Sequence, residues 1–282
     1  MILLVAACCA AFTGGCAKPT PPRQELPSQS AGPARPPRRP AARPEPRDVA
    51  RRTPPVPVPT AAEARVIGTS IGGQPIRCYR FGTGPDALLI LGGIHGNEPG
   101  SARLVETLAD RLRQRDDLLR GRTIWVLPVA NPDGLADRSR LNRRHVDLNR
   151  NFPADNRREL VRYGAAPLSE PEAAALHRLI QEARPRRIVS LHQAAACVDY
   201  DGPARGLAEA MSEACGLPVR RLGGKPGSLG SWAGDVLSIP TITLELPGSA
   251  TRMPEAALWT RFGPALEAAI SWGGRAPATD LR

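Results

Sequence analysis

The 282-residue sequence begins with an apolar run that is too short to cross a lipid bilayer. This run, residues 2–12, has eleven residues, whereas a membrane-spanning helix needs about 20. Histidine is scarce, with four in the chain, and Cys78, Cys197 and Cys215 do not have the spacing of zinc-ligand cysteines. The sequence therefore argues against a membrane-spanning start and against a cysteine-based zinc site.

A nucleic-acid-binding motif is also absent, although the chain has a formal charge of +11. Much of this charge lies in residues 17–60, which contain nine lysines and arginines and three acidic residues. We therefore expect no nucleic-acid partner. A basic tail outside the cytoplasm would instead meet anionic lipid headgroups or an anionic cell wall.

The start of the chain predicts export. Residues 2–12 have the length of the apolar core of a secretory signal. They end in Thr13-Gly14-Gly15-Cys16, and small residues directly before a cysteine resemble the processing site of bacterial lipoproteins. We interpret residues 1–16 as a signal or lipoprotein peptide and expect a periplasmic protein that is membrane-anchored through a lipid on Cys16. Soluble export and a cytoplasmic protein with a chance apolar start are the alternatives.

The next segment, residues 17–60, contains fourteen of the 31 prolines and is rich in arginine. Such a composition does not bury apolar surface, so we expect a disordered, extended tether. The remaining residues, 61–282, suit a single large domain with a substantial core.

Strand-like and helix-like stretches alternate through this domain. A hairpin is expected at 65–71 and 75–81, and buried strands at 86–92, 122–129, 186–192 and 239–245. Helices are expected around 99–115, 169–183, 204–215, 229–237 and 254–271. This pattern predicts an α/β fold, a three-layer sandwich with a mixed, mostly parallel central sheet. Sites in such folds gather at the carboxyl ends of the strands.

Two of the histidines lie at such strand ends. His95 and Glu98 are three residues apart directly after one buried strand, and His192 ends another. Two imidazoles and a carboxylate, with a fourth position left open, are typical of a catalytic zinc site. The three residues predict one Zn²⁺ ion, although an H-x-x-E pair by itself is more often structural.

Further polar residues follow the same logic. Glu245 ends the last buried strand, and a buried carboxylate is costly unless it is paired or catalytic. The irregular stretch before residue 166 contains Asn149 and Arg150, and an arginine fork can bind a carboxylate with two hydrogen bonds. The alternative for Glu245 is a strand-end glutamate that faces solvent. The alternative for the segment with Asn149 and Arg150 is a solvated basic loop without a ligand.

Together these residues resemble the zinc carboxypeptidases related to carboxypeptidase A. The matching segments occur in the expected order and are GGIHGNEPGS (92–101), VANPDG (129–134), RLNRRHVDLNRNFP (140–153), SLH (190–192) and TLELPG (243–248). GSLGSW (227–232) and CVDYDGP (197–203) are similar to the murein peptide amidase branch, which trims cell-wall tripeptides.

The resemblance implies a role for each candidate. His95, Glu98 and His192 would bind the zinc ion, and Glu245 would be the general base. Asn149 and Arg150 would bind the terminal carboxylate of a peptide substrate. Arg140 is the first choice, and Arg143 the second, for polarising the scissile carbonyl.

The implied reaction is zinc-dependent hydrolysis of the C-terminal residue of a short peptide, most specifically the γ-D-Glu–meso-diaminopimelate bond of the murein tripeptide. Asp199 or Asp201 would pair with the extra amino group of the leaving residue, whereas an Asp-Gly-Pro turn is the alternative. The rival functions are an N-acyl amino acid deacylase of the aspartoacylase type and a non-catalytic peptidoglycan-binding module. Export permits a disulfide, with Cys197–Cys215 the favoured pair and buried free thiols the alternative.

Overall fold

A computed structural model describes residues 63–273 of the chain. The signal peptide expected in residues 1–16 and the tether expected in residues 17–60 lie outside the described residues. Within 63–273, no helix is long and apolar enough to cross a membrane.

Six strands form one sheet in the order β1-β2-β4-β3-β5-β6. Their bounds are β1 Glu63–Thr69, β2 Pro75–Phe81, β3 Asp86–Leu91, β4 Arg122–Leu127, β5 Arg187–Asp201 and β6 Thr241–Pro247. The pairs β1-β2 and β2-β4 are antiparallel, and β4-β3, β3-β5 and β5-β6 are parallel. The prediction of a mixed, mostly parallel sheet is confirmed.

Helices cover both faces of this sheet. They are α1 Pro99–Leu112, α2 Asp116–Leu119, α3 Pro132–Asp137, α4 Pro171–Ala183, α5 Arg205–Cys215 and α6 Glu255–Ser271. The predicted helix at 229–237 is a π-helical turn, Gly230–Val236. Short 3₁₀ turns occupy Leu148–Arg150, Val161–Tyr163 and Gly248–Arg252.

The core has two halves because side chains alternate across each strand. On β3, Leu88 and Ile90 pack into the cluster formed with α1, α5 and α6. Leu89 and Leu91 face the opposite cluster, which contains the apolar residues of α4. A strand that is apolar on both faces must lie inside the molecule, so the sheet is the middle layer of the predicted sandwich.

Strand β5 changes direction relative to β6. Its first half pairs with β6 so that His192 lies opposite Glu245. The register then runs backwards, from Cys197 opposite Glu245 to Asp201 opposite Thr241. The chain therefore returns along β6 and carries residues 197–201 away from the strand end.

The expected disulfide is absent: Cys78, Cys197 and Cys215 are free thiols. Val198 packs into the cluster that contains α5, the helix that Cys215 ends. Because side chains alternate along a strand, Cys197 faces away from that helix. The pairing of Cys197 with Cys215 was therefore wrong, and the alternative of free thiols holds for the described residues.

Candidate metal centre and active site

The loop after β3 and the first half of β5 bring the three predicted metal ligands together. The side chains of His95, Glu98 and His192 are buried. Nδ1 of His95 lies 2.8 Å from Oε1 of Glu98, and Nδ1 of His192 lies 3.0 Å from Oε2. The two Nδ1 atoms are 3.1 Å apart. Within the described part of the chain, this is the one group of three or more such side chains close enough to share a metal ion.

The donor set fits a zinc ion. Zinc–nitrogen bonds of about 2.0–2.1 Å in a tetrahedral site place two nitrogens about 3.4 Å apart. The Nδ1–Nδ1 separation of 3.1 Å is close to this value. Two imidazoles and one carboxylate converge, which is the protein-ligand set of a catalytic zinc site with an open fourth position.

Asp147 supports this centre from behind and was not singled out from the sequence. Its Oδ1 lies 3.0 Å from Nε2 of His95, and its Oδ2 accepts a hydrogen bond from Nε of Arg140 at 3.0 Å. Carboxylates in this position orient a metal-binding imidazole and fix its tautomer. The available signal was its place inside the 140–153 segment, two residues before Asn149.

The two carboxylates of the centre, Glu98 and Asp147, are kept ionised by the imidazoles and the arginine beside them. Burial opposes ionisation of Glu98, but hydrogen bonds with His192 and His95 outweigh it and lower the pKa of Glu98 to about 2. Burial likewise opposes ionisation of Asp147, but its hydrogen bond with His95 and the charge of Arg140 hold its pKa well below the usual range. Both carboxylates are therefore ionised at neutral pH.

His192 also has an outer partner. The hydroxyl oxygen of Ser190 lies 3.2 Å from Nε2 of His192, and Nδ2 of Asn149 lies 3.5 Å from the same nitrogen. Ser190 is buried and, like His192, lies on β5. The ring is thus held on one side while its Nδ1 faces the other two metal-site residues.

One cavity contains most of the predicted site. The three metal-site residues line it together with Arg140, Asn149, Arg150, Asp199 and Glu245. Glu245 is half-buried, and its Oε2 accepts a hydrogen bond from the backbone of Ala195 at 3.2 Å. Strand pairing fixes its position, because it lies opposite His192 in the register.

Asn149 and Arg150 belong to the 3₁₀ turn Leu148–Arg150, and Asp147 caps its start. The side chain of Asp147 accepts a hydrogen bond from the backbone of Asn149 at 3.0 Å. Oδ1 of Asn149 accepts one from the backbone of Leu229 at 2.9 Å, which leaves its Nδ2 group on the cavity side. The turn therefore places an amide and a guanidinium side by side at the cavity wall.

Of the two candidate arginines, the structure brings Arg140 into the cavity and not Arg143. The guanidinium of Arg140 lies 3.4 Å from Oε1 of Glu98 and is 40% exposed. The side chain of Arg143 is half exposed, and its Nε lies 3.8 Å from Asp137. Arg143 does not line the cavity, because it lies in the turn that is closed by a hydrogen bond of 2.9 Å from the backbone of His145 to the carbonyl of Asn142.

Asp199 lies at the cavity as predicted, but it already has a partner. Its Oδ1 accepts a hydrogen bond from the backbone of Leu222 at 2.8 Å, and burial raises its pKa. Asp201 lines the same cavity. The sequence named both residues as alternatives, and the structure places both on the returning half of β5.

An α/β sandwich with a buried His-Glu-His centre, a neighbouring carboxylate and an asparagine–arginine pair defines a metal-dependent hydrolase. Residues 57–203 match the zinc carboxypeptidase family model. The chain belongs to the zinc carboxypeptidase family and is a metallopeptidase, which confirms the resemblance seen in the sequence.

Relatives within this family share extended similarity with the chain. Murein peptide amidase A of Escherichia coli strain K12 is 40% identical over 177 residues, which cover 56% of this chain and 70% of the relative. The Vibrio campbellii protein of the same name is 34% identical over 178 residues, covering 56% and 68%.

Two solved structures have a fold similar to that of this chain. The murein-tripeptide amidase MpaA of Escherichia coli O157 has 30% identity and a TM-score of 0.58, covering 75% of this chain and 93% of that one. Bovine thrombin-activatable fibrinolysis inhibitor, in complex with tick carboxypeptidase inhibitor, has 21% identity and a TM-score of 0.66. This second likeness concerns the fold alone.

Proposed function

We propose that this protein is a zinc-dependent amidase that hydrolyses the γ-D-Glu–meso-diaminopimelate bond of the murein tripeptide. The observation that carries the proposal is the convergence of His95, Glu98 and His192 in one cavity, with Glu245 opposite His192 on the adjacent strand. The named relatives supply the substrate class, because two of them are murein peptide amidases at 40% and 34% identity.

His95, Glu98 and His192 would hold the zinc ion. Bound there, zinc would polarise the scissile carbonyl and lower the pKa of a water toward about 7. Glu245 accepts the proton of the attacking water and later delivers it to the leaving amine. Its hydrogen bond from the backbone of Ala195 holds one carboxylate oxygen, which leaves the other oxygen for the water.

The remaining cavity residues act on the substrate. Arg140 stabilises the negative charge that develops on the carbonyl oxygen, and Asp147 holds its guanidinium in place. Arg150 and Asn149 bind the free carboxylate of the terminal residue. Binding of that carboxylate limits cleavage to the last residue of the peptide.

The test is mass spectrometry of L-Ala-γ-D-Glu-meso-diaminopimelate incubated with residues 61–282 and zinc. We expect free diaminopimelate to be released, and we expect the release to stop when a chelator is added and to resume when zinc is restored. If this peptide stays intact while other peptides lose their C-terminal residue, the substrate is wrong and the chemistry stands. If no peptide is cut, the binding-module alternative replaces the enzyme.

We also propose that the protein is exported to the periplasm and anchored through a lipid on Cys16. The sequence alone supports this, through the apolar run at 2–12 and the small residues before Cys16. Metabolic labelling with a fatty acid is expected to label the full chain and not the Cys16→Ala variant. Equal labelling of both chains, or labelling of neither, would contradict the anchor.

A further inference from the structure

The side chain of Asn142 joins the loop that carries Arg140 to the start of α4. It is buried, and its Nδ2 donates hydrogen bonds to Oε2 of Glu170 at 2.7 Å and to Oε2 of Glu172 at 3.3 Å. Glu170 lies directly before α4, and Glu172 lies in its first turn. Both carboxylates are buried as well, so one amide connects the loop to two fixed acceptors on a regular element.

The same amide closes the turn formed by residues 142–146. Its Oδ1 accepts hydrogen bonds from the backbone N–H groups of Arg144 and Val146, each at 3.0 Å. The backbone of Asn142 donates to the carbonyl of Val146 at 3.0 Å and accepts from His145 at 2.9 Å. Asparagine side chains commonly stabilise turns in this way. The turn 142–146 is therefore a closed unit that a single side chain holds against α4.

Arg140 lies two residues before this turn and depends on it for its position. Its Nε donates to Oδ2 of Asp147 at 3.0 Å, and its Nη1 lies 3.4 Å from Oε1 of Glu98. An arginine side chain has several rotatable bonds, so these contacts require a fixed backbone. A catalytic group displaced by about 1 Å can lose a hundredfold in rate.

The other groups of the cavity have anchors of their own. The backbone N–H of Asp147 donates to the carbonyl of Arg162 at 2.8 Å. Asn151 directly follows the turn Leu148–Arg150, and its Nδ2 donates to the carbonyl of Tyr163 at 2.7 Å. The support of the metal centre and the pair that binds the terminal carboxylate are therefore held by separate contacts.

We propose that Asn142 is a positioning residue, which fixes Arg140 beside the scissile carbonyl by holding the turn 142–146 against α4. The proposal rests on the proposed function and deepens it, because Arg140 acts there on the negative charge that develops during hydrolysis. That interaction is made only in the transition state, so displacement of Arg140 lowers kcat and leaves KM nearly unchanged.

Asn142→Asp keeps the shape of the side chain and its Oδ1, but it replaces the donor with an oxygen that faces the carboxylate of Glu170. On L-Ala-γ-D-Glu-meso-diaminopimelate, we expect kcat to fall about tenfold or more, with KM within about threefold of wild type. Zinc content is expected to stay at the wild-type level. Unchanged kcat, or a loss expressed in KM alone, would overturn the proposal.

A second substitution restores the contact with its direction reversed. Adding Glu170→Gln to Asn142→Asp places the amide donor on α4 and the carboxylate on the turn. This double variant is expected to recover kcat to within about threefold of wild type, because the partners are complementary again. A double variant as slow as Asn142→Asp would count against the contact. Arg144→Ala is the matched control, since its exposed side chain lies in the same turn, and it is expected to keep wild-type kcat.

A double-mutant cycle with Arg140→Ala shows whether Asn142 acts through Arg140. In the Arg140→Ala protein, we expect Asn142→Asp to lower the residual kcat by less than about twofold, because the group that it positions is already absent. The same loss in both backgrounds would mean that Asn142 supports the fold and does not position Arg140. If Asn142→Asp does not fold, Glu170→Ala, which removes the nearer acceptor, gives the same comparison.

Hydrogen exchange separates this proposal from the proposed function. If the wild-type enzyme cuts no peptide, the proposed function fails, and exchange in residues 140–147 of the full chain, measured by mass spectrometry, decides about Asn142. Faster exchange in Asn142→Asp, reversed by adding Glu170→Gln, would support the role of Asn142, because the N–H groups of Arg144 and Val146 depend on this side chain. Equal exchange in wild type and Asn142→Asp would refute it.

Discussion

At the scale of single residues, the site depends on carboxylates whose surroundings give them different tasks. Glu98 and Asp147 are buried and hydrogen-bonded to imidazoles, which keeps them ionised. Glu245 is half-buried and has one protein hydrogen bond, from Ala195. A general base must be within hydrogen-bonding reach of the water whose proton it accepts, so its carboxylate cannot be fully enclosed by protein groups.

Glu245→Gln is expected to lower kcat by about a thousandfold, because the amide cannot accept the proton of the attacking water. The bound zinc should be unaffected, since Glu245 is not part of the converging group of ligands. Turnover of the tripeptide and metal content by atomic absorption check both statements. Wild-type turnover in this variant would remove Glu245 from the mechanism.

Asp147→Asn is expected to weaken zinc binding by about 10- to 100-fold, because it removes the carboxylate that orients His95. Competition with a chelator of known affinity measures the change. Asp137→Asn is the matched control, because that carboxylate is exposed and lies outside the metal centre. Equal zinc affinity in the Asp147→Asn variant and the control would mean that Asp147 is not a positioning residue.

At the scale of elements, the metal centre is built where two turns touch. The loop that carries His95 and Glu98 packs against the first turn of α3, and a Cβ at Gly96 would lie 1.8 Å from the backbone carbon of Gly134. Glycine at position 96 permits this approach, because it has no side chain. The sequence motifs around residues 96 and 134 are therefore in direct contact.

Gly96→Ala is expected to displace the loop, because the colliding atoms belong to the backbone and cannot rotate away. We expect a lower melting temperature and less than one zinc ion per chain, measured by calorimetry and metal analysis. Gly206→Ala on α5 is the control, since its Cβ would meet only Trp272, at 3.9 Å. A Gly96→Ala protein that retains full zinc content would show that the loop can yield.

At the scale of the whole molecule, zinc binding and folding are linked. The ligands come from two elements more than 90 residues apart in the chain, so the unfolded chain does not hold them together. A ligand that binds only the folded state stabilises it by about 4 kcal/mol at a concentration 1,000 times its dissociation constant.

Zinc is therefore expected to raise the melting temperature of residues 61–282, and a chelator is expected to lower it. Calorimetric scans with and without zinc measure the shift. His192→Ala serves as the comparison, since a chain without this ligand should respond much less. A melting temperature that does not respond to zinc in the wild-type chain would contradict a metal centre formed by these three residues.

Local patterns predicted much of the fold and of the metal centre. Apolar runs such as 86–92 and 122–129 became β3 and β4, because a run of this length with β-branched residues is compatible with a buried strand. His95 and Glu98 follow β3, and His192 lies on β5 two residues after Ser190, the last residue that pairs with β3. The ends of neighbouring parallel strands meet at one edge of the sheet. Sequence order and strand direction were sufficient for these residues.

Only the tertiary structure decided which loop residues share the cavity. Arg140 and Arg143 both precede Asp147 in the same loop, but Arg140 lies beside Glu98 at the cavity, whereas Arg143 lies in the turn between Asn142 and His145, beside Asp137. The direction reversal of β5 likewise brings Asp201 to the cavity and separates Cys197 from Cys215. Strand and helix periodicity determines which way a side chain faces within an element. Turns and strand returns have no such periodicity, so the packing of distant segments sets their directions.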